Sequence, residues 1–504
     1  MALHSTRLVQ SMSVSKPLSM SENRPSAGAL LCVLAAALFG ALTAVAGGVV
    51  AALILLVLVA CGLTLANYRV GLWFLLFLLP ISATAIFPRE LLGITGANPF
   101  NALLALTLLS FFVERVRHHK PAWILPLPRA SWAFFVPVVI AGLVGMTHYG
   151  DIPGFVFARN LVSFASPTGY LRDVLIKPLI VVLLALLLGT AVRDGMKLQT
   201  VVVGLCLSIW LIAAWVFYFV LSSGVSLGQL ASSTNREFLS GAGMHANDLG
   251  TLAASVLILM IFAIAGKDNS AWMRWLFVVT AGIAGALLVM SFSRGAFLGF
   301  AVALTVFFIV QRRLKTVIAG LFVLLLMLPL LPAELYERLL TGVGTGGSQV
   351  LHSQQDPLTA GRVAGVWIPL LAEVQSHPYF GNGLLAVAWS VPLRSGAMGL
   401  ATLNPHNLYL KLLLEVGVIG FVLVALFFVH LWRRFRATAK NPAVPAQDAW
   451  LFAGASAVLL GYATSGLSGG DYLPDPSNFL LWIIWGLMLA MPVVEQPRAT
   501  RLAH

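Results

Sequence analysis

Charged residues are scarce in this chain. Asp, Glu, Lys and Arg make up 10% of its 504 residues, whereas 59% of the residues are hydrophobic. A soluble domain cannot cover so much apolar surface, so the composition predicts that a lipid bilayer is the solvent. Apolar runs of about twenty residues recur along nearly the whole sequence, which argues against a single very large soluble core.

Cysteine is also rare. Cys32, Cys61 and Cys206 each lie inside an apolar run, and none has a CxxC partner. Neither a disulfide framework nor a zinc site is indicated.

The sequence has no visible internal repeat, no low-complexity linker and no GxxxxGK[ST] phosphate loop. We therefore expect a cytoplasmic tail over 1–28 and one membrane domain over 29–504, with no ATP site.

The apolar runs predict an all-α, polytopic transmembrane bundle of about 12–14 spans. Because the fourth run is short and the first two runs nearly touch, a count of twelve or thirteen spans also fits the sequence. The longest segment between spans, 333–407, is expected to be an outer loop. The predicted spans are 29–47, 49–66, 71–87, 101–113, 131–147, 174–192, 199–222, 248–266, 275–292, 295–310, 316–332, 408–431, 449–466 and 477–492.

The net charge of +13 fits the positive-inside rule better than nucleic-acid binding. With a cytoplasmic N-terminus, every short loop assigned to the cytoplasm contains a basic residue, and both termini lie inside the cell. Basic residues on the outer side are then informative, because the rule disfavours them. They are Arg89, Arg159, Arg172, Lys177, Arg236, Arg294, Arg338, Arg362, Arg394 and Lys411.

Two of the outer arginines are the strongest candidates for an anion site. Arg294 lies in the only break between two apolar runs, where it is either an interfacial anchor or a phosphate ligand. Arg362 lies in the first turn of a predicted amphipathic helix over 359–376, too short to span, which suits an interface. Guanidinium groups bind phosphate oxygens bidentately and stay charged.

A second pair of arginines flanks the first long outer segment. Arg159 and Arg172 bracket residues 160–171, with Lys177 just inside the next span. These side chains would either widen the anion site or anchor the chain at the interface.

A histidine stands where the span after the long loop begins. Proline favours the first turn of a helix, so Pro405 places His406 in that turn, at the outer membrane face. Tyr409, Gly417 and Gly420 follow on one helix face, where small residues would admit a neighbouring helix. An imidazole, with an ordinary pKa of about 6.5, suits a general base, although a lone histidine at a membrane interface more often has a structural role.

Other polar residues at the same face are less specific. His245 and Asn247 precede or begin another predicted span, where they would either contact a sugar or cap the helix. Lys411 and Glu415 lie inside the span that follows His406 and would form an internal ion pair. Scattered histidines without a carboxylate cluster give no support for a metal site.

One set of motifs resembles a known family. His406-Asn407, nine residues, and then Gly417-Val418-Ile419-Gly420 resemble the signature of the bacterial O-antigen ligase and O-antigen polymerase superfamily, which are GT-C type membrane glycosyltransferases. The Ser293-Arg294-Gly295 turn, the stretch from Arg362 to Trp367 and the large loop before the histidine are also similar. The resemblance covers about residues 230–425 with motifs.

The resemblance implies a metal-independent, inverting glycosyltransferase without cofactors. Its donor would be a glycan on undecaprenyl diphosphate at the periplasmic face of the inner membrane, and its acceptor lipid A-core in lipopolysaccharide assembly. His406 would be the catalytic base, and Arg294 and Arg362 would hold the diphosphate. Arg159, Arg172, His245, Asn247, Asn407 and Tyr409 would contribute to substrate binding. Other polysaccharide-assembly proteins are expected partners.

Alternatives remain at this stage. A polymerase of O-antigen or exopolysaccharide would pass the glycan to a second lipid-linked repeat, and other members of the superfamily glycosylate proteins. A transporter or flippase for a lipid-linked sugar is a rival of a different class, but it would place charge along a path through the bilayer.

Overall fold

The computed structural model describes residues 48–82, 84, 90–91, 94–95, 98–121, 124–225, 238–266, 268–311, 362–396, 398 and 402–492. These residues are almost entirely helical, with one short antiparallel pair of strands, β1 (Glu90–Leu91) and β2 (Ile94–Thr95). The chain divides into two compact units, residues 1–63 and 64–504, and all the packing described below lies within the second.

The helices are numbered here along the described part of the chain. They are α1 (Gly48–Ala66), α2 (Tyr68–Leu78), α3 (Pro99–Arg117), α4 (Trp132–Thr147), α5 (Gly154–Ala158), α6 (Pro167–Tyr170), α7 (Lys177–Arg193), α8 (Leu198–Ser222), α9 (Phe238–Gly241), α10 (Ala246–Ala265), α11 (Ala271–Ser291), α12 (Arg294–Gln311), α13 (Ile368–Ser376), α14 (Val391–Arg394), α15 (Leu408–Ala439), α16 (Ala446–Ser465) and α17 (Phe479–Leu489). Short π-helical segments, Leu171–Ile176 and Val363–Trp367, lead into α7 and α13.

Seven helices in the described part are long and apolar enough to cross a membrane, which confirms the predicted polytopic helical bundle. The predicted spans that fall on described residues coincide with helices, although several begin or end at other residues, and residues 83 and 85–87 of the span 71–87 lie outside the described part. The predicted spans 29–47 and 316–332, and residues 333–361 of the long loop, lie outside the described residues. The seven are Pro99–Arg117, Arg129–Thr147, Pro167–Arg193, Leu198–Ser222, Ala246–Ala265, Ala271–Ser291 and Leu408–Ala439.

The fourth predicted span, 101–113, is longer in the structure. Helix α3 has 19 residues, because the side chain of Asn98 caps its start and the helix continues past the apolar run through charged residues. Near its end, Arg115 pairs with Asp194, with 2.7 Å between Nη2 and Oδ2. Apolar periodicity marks the lipid-contacting part of a span, whereas caps and ion pairs set where the helix ends.

The core of the bundle brings one set of helix ends together. Helix α10 packs against α11, α12 and α16, and α15 packs against α4 and α16. Consequently the first residues of α10, α12 and α15 and the last residues of α11 and α16 lie at the same end of the bundle. We call this the site end.

Helix α15 is interrupted inside the membrane domain. Gly417 has φ 68° and ψ −176°, a conformation that favours glycine. The loop 377–383 enters the break: the amide of Asn382 donates to the carbonyl of Leu414 at 2.8 Å, and the amide of Val418 donates to that of Pro378 at 2.8 Å. The backbone groups freed by the break are thus hydrogen-bonded, as burial requires.

The expectation that Gly417 and Gly420 admit a neighbouring helix is therefore only partly right. A Cβ on Gly417 would overlap the backbone of Tyr379, so a loop occupies that position. A Cβ on Gly420 would lie 3.3 Å from Pro137 of α4, so a helix does approach there. Spacing identified the close approach but not the kind of neighbour, which depends on distant segments.

Candidate functional site

His406 lies at the site end, but not in the first turn of α15 as expected. The helix begins at Leu408, because the side chain of Asn407 caps it by accepting from the amides of Tyr409 and Leu410 at 3.0 and 3.1 Å. His406 precedes the cap with φ 54°, and its amide donates to Oδ1 of Asn404 at 2.8 Å. A left-handed residue that is not glycine costs about 1–3 kcal/mol, and such residues cluster at functional sites.

A second histidine faces the first. The ring centroids of His245 and His406 are 6.0 Å apart. His245 is the N-cap of α10, and its Nδ1 accepts from the amide of Asn247 at 3.1 Å, so the predicted capping role is present. Oδ1 of Asn247 accepts a hydrogen bond of 3.1 Å from the hydroxyl of Ser293, the residue before Arg294. The start of α10 is therefore linked to both His406 and the α11–α12 turn.

The two candidate arginines come together in the structure. Arg294 begins α12 and is half-buried, and Arg362 lies immediately before the π-helical segment that leads into α13. Burial, and after it the like charge of Arg294, lowers the pKa of the Arg362 guanidinium, which nevertheless stays protonated. Two neighbouring guanidiniums repel each other, and an anion with more than one charged oxygen relieves that repulsion.

The continuous helical stretch formed by the π-helical segment Val363–Trp367 and α13 also reaches His406. Nε1 of Trp367 donates to the carbonyl of Pro405 at 2.8 Å. The same helix therefore places Arg362 at its start and holds the backbone beside His406.

A turn over residues 466–478, between α16 and α17, joins these parts. The carbonyl of Ser468 accepts from Nη1 of Arg362 at 3.1 Å, and the carbonyl of Gly466 accepts from the amide of Leu408 at 2.8 Å. Just before the turn, the Ser465 hydroxyl donates to the carbonyl of Gly295 at 3.0 Å. One turn thus fixes the relative positions of the segments that bear Arg294, Arg362 and His406.

The ion pair expected between Lys411 and Glu415 is not the one that forms. Lys411 pairs with Asp471 of the 466–478 turn. Glu415 instead accepts from the hydroxyl of Tyr472 at 2.7 Å and from the amide of Leu385 at 2.9 Å. The interrupted helix presents Glu415 to the inserted loop, so the nearer carboxylate in sequence is used elsewhere.

Asn407 and Tyr409 both have structural partners. Asn407 is the cap described above, and the hydroxyl of Tyr409 donates to the carbonyl of Ala463 at 2.6 Å. These contacts place α15 against α16.

Arg172 and Arg159 lie between α4 and α7 and differ in their surroundings. Arg172 forms a two-point contact with Asp173, at 2.9 and 3.2 Å, and Lys177 reaches the same carboxylate at 2.7 Å. Arg159 stands over the ring of Phe155, with 5.8 Å from Cζ to the centroid.

The 466–478 turn was missed by the sequence reasoning. Its signal was present, because Asp471 and Asp475 are acidic residues in a predicted outer turn without basic ones, and Lys411 required a partner inside the membrane domain. The separation of 60 residues between Lys411 and Asp471 concealed the pairing.

The arrangement combines a proton acceptor, a second imidazole and two fixed cations at one end of an apolar bundle. Such a set suits a reaction in which an anionic phosphate group departs while a hydroxyl attacks. The architecture is that of a multi-pass helical membrane protein.

Comparison with known proteins agrees with this class. A family described as O-Antigen ligase matches residues 279–425, the stretch that contains Arg294, Arg362 and His406. An O-antigen ligase of Pseudomonas aeruginosa is 26% identical over 425 residues, which cover 80% of this chain and 92% of that protein. Both similarities support the O-antigen ligase superfamily for this chain, and with it an enzyme of the glycosyltransferase type.

Proposed function

We propose that this protein transfers a glycan from undecaprenyl diphosphate to lipid A-core at the periplasmic face of the inner membrane. The convergence of Arg294, Arg362 and His406 at the site end carries the proposal. The distribution of basic residues supports a periplasmic site end and cytoplasmic termini.

The two arginines suit the donor. Undecaprenyl diphosphate has an anionic head at the membrane surface and an apolar chain in the bilayer. Arg362 uses Nη1 for the carbonyl of Ser468, which leaves its other donors for phosphate oxygens. Guanidiniums held before the reaction stabilise charge as it grows on the leaving diphosphate, where one such donor contributes about 10²–10³-fold in rate.

His406 suits the acceptor. In the proposed step its imidazole takes the proton of the acceptor hydroxyl, and the hydroxyl oxygen bonds to the anomeric carbon. The bond from that carbon to the diphosphate breaks, and its electron pair goes to the diphosphate. The products are the glycosylated acceptor and undecaprenyl diphosphate, and the imidazolium then releases its proton. Direct displacement inverts the anomeric centre.

The proposed mechanism is metal-independent, because the two guanidiniums supply the positive charge that a divalent cation gives other phosphate-releasing enzymes. Transfer is therefore expected to persist in EDTA. Loss of activity in EDTA, with recovery on addition of Mg²⁺ or Mn²⁺, would contradict this part of the proposal.

Reconstitution tests the function directly. The purified protein in nanodiscs is given an undecaprenyl-diphosphate glycan together with either lipid A-core or a second lipid-linked repeat unit. Glycosylated lipid A-core is the expected product. Elongated repeat units would show a polymerase instead, and passage of the donor across proteoliposomes without any transfer would show a transporter.

A matched pair of histidine variants isolates the base. His406→Ala is expected to reduce transfer by about 10²–10⁴-fold, the range for removal of a general base. His430→Ala is the control, since it alters an exposed histidine near the far end of α15. Equal activity of the two variants would remove His406 from the proposed chemistry.

A further inference from the structure

A second cationic depression lies at the site end. Arg159 and Arg394 line it from different segments, together with the apolar side chains of Phe155, Leu393 and Met398. The depression has a volume of about 360 Å³. Two guanidiniums beside apolar surface are the combination that an anionic headgroup with an attached hydrocarbon requires.

The arginines of this depression differ from neighbouring basic residues in their ion-pair partners. Within the described residues, neither Arg159 nor Arg394 forms an ion pair, whereas Arg172 and Lys177 share Asp173. Both side chains are exposed, and none of the residues that line the depression is acidic. The positive-inside rule disfavours arginines on the outer side, so two that converge without a carboxylate call for an external anion.

The walls of the depression are held in place. On one side, the amide of Val391 donates to Oε2 of Glu373 in α13 at 3.1 Å. Behind it, the ring of Trp389 stacks on that of His148, with 5.5 Å between centroids, and His148 pairs with Asp151. These contacts join the segment bearing Arg394 to the segment that follows α4, so the depression exists before a ligand arrives.

The depression is separate from the pair formed by Arg294 and Arg362. The π-helical segment Val363–Trp367 and α13 together connect the two places: Arg362 immediately precedes the segment, and Glu373, which anchors one wall of the depression, lies about 15 Å farther along the axis. The residues that line the depression include neither Arg294 nor Arg362. A diphosphate held by those two arginines therefore leaves the depression for a different anionic group.

We propose that this depression binds a phosphate group on the acceptor lipid and selects acceptors that carry one. The inference rests on the proposed function, which requires two lipid substrates at one end of the bundle. The donor's anionic group is its diphosphate, so a phosphate at Arg159 and Arg394 belongs to the acceptor. Contacts remote from the reacting hydroxyl orient it toward His406.

Kinetics with two acceptors tests the assignment. Arg159→Gln, Arg394→Gln and the double variant are compared with wild type, using a phosphorylated core glycolipid and the same glycolipid after phosphatase treatment. We expect KM for the phosphorylated acceptor to rise at least about tenfold in each single variant, with KM for the donor unchanged. The dephosphorylated acceptor is expected to be poor for wild type and insensitive to the substitutions.

Arg193→Gln provides the matched control, because it removes an exposed arginine at the opposite end of α7. Arg394→Lys keeps the positive charge but lacks the planar, bidentate guanidinium. Its KM for the phosphorylated acceptor is expected to lie between those of wild type and Arg394→Gln. An unchanged acceptor KM, an equal loss with the dephosphorylated acceptor, or a raised donor KM would each overturn the proposal.

Direct binding separates this inference from the proposed function. In the His406→Ala background, retention of the phosphorylated glycolipid by the purified protein is measured without any transfer. Retention that falls on Arg159→Gln and Arg394→Gln supports the depression even if wild type transfers no glycan. Absence of transfer with an intact and arginine-dependent retention would overturn only the proposed function.

Discussion

Trp367 donates a hydrogen bond of 2.8 Å from its indole nitrogen to the carbonyl of Pro405, next to His406. The short helix of the long loop thus holds the residue proposed to act as base. Trp367→Phe keeps most of the ring packing and removes a hydrogen bond worth about 1 kcal/mol net. We expect kcat for glycan transfer to fall about tenfold, because small misplacements of reacting groups are costly, while the apparent melting temperature changes by only a few degrees.

The control for this prediction is Trp272→Phe, which alters a tryptophan that is 57% exposed on α11. Transfer rates that are the same in the two variants would show that the Trp367 hydrogen bond does not position His406.

The contact between Gly295 and Ser468 gives a second prediction. A Cβ on Gly295 would overlap the hydroxyl of Ser468, which donates to the carbonyl of Ser465 at 3.2 Å. Gly295→Ala forces that hydroxyl to rotate and lose its bond, and it pushes the 466–478 turn away from Arg294. We expect transfer to fall and stability to drop by about 1 kcal/mol.

Adding Ser468→Ala to Gly295→Ala removes the overlapping oxygen, so the double variant is expected to recover most of the lost activity. Ser468→Ala alone keeps the backbone carbonyl that accepts from Arg362 and serves as the control. Losses that simply add in the double variant would contradict a steric origin.

The sequence predicted the parts of the site better than their connections. Apolar runs and charge bias predict outer positions for Arg294 and Arg362, and the structure brings these residues together. The left-handed backbone of His406 depends on which residue caps α15, and the break at Gly417 depends on a loop inserted from a distant segment. Neither feature was foreseen from the sequence. The roles of these residues in substrate binding and catalysis remain predictions.

The pairing of Lys411 with Asp471 shows the same limit, and it gives a third prediction. An intramembrane lysine needs a partner, and helical spacing pointed to Glu415, but tertiary packing supplies the turn between α16 and α17. Lys411→Met leaves the half-buried carboxylate of Asp471 without its cation. Because that carboxylate keeps contact with solvent, we expect a loss below the ~3–5 kcal/mol of a fully buried pair, read as a lower melting temperature in nanodiscs.

Neutralising Asp471 as well should restore much of the lost stability. Lys411→Met combined with Asp471→Asn is expected to melt above Lys411→Met alone, since a neutral amide has a smaller burial cost than an unpaired carboxylate. A double variant that melts no higher than the single one would show that the pair does not act as a unit.

The acidic residues beneath the site make stability depend on pH. Burial, and then the charges of Asp248 and Asp471, raises the pKa of Asp475 well above its ordinary value. The folded protein therefore binds a proton that the unfolded chain has already released. Stability is expected to be fully present below about pH 4 and to fall as pH rises toward the raised pKa.

Asp475→Asn tests this prediction. The amide oxygen can still accept from the amides of Ser477 and Asn478, as the carboxylate does at 2.8 and 3.1 Å, but the group no longer titrates. As the pH rises from 5 to 9, we expect the melting temperature of the variant to fall less than that of wild type. The same slope in both proteins would mean that Asp475 is ionised in the folded state throughout that range.

The geometry of Arg362 provides the last prediction. One guanidinium nitrogen is bound to the carbonyl of Ser468, so phosphate recognition falls to the others, and only a forked cation can serve both partners. Arg362→Lys keeps the charge but is expected to lower kcat/KM at least tenfold, and Arg362→Gln about 10²–10³-fold, as for loss of a preorganised donor to a developing oxyanion. Arg274→Lys, at an exposed arginine near the opposite end of α11, is the control. If Arg362→Lys retained full activity while Arg362→Gln did not, a point charge would suffice, and the two-partner role of this guanidinium would have to be abandoned.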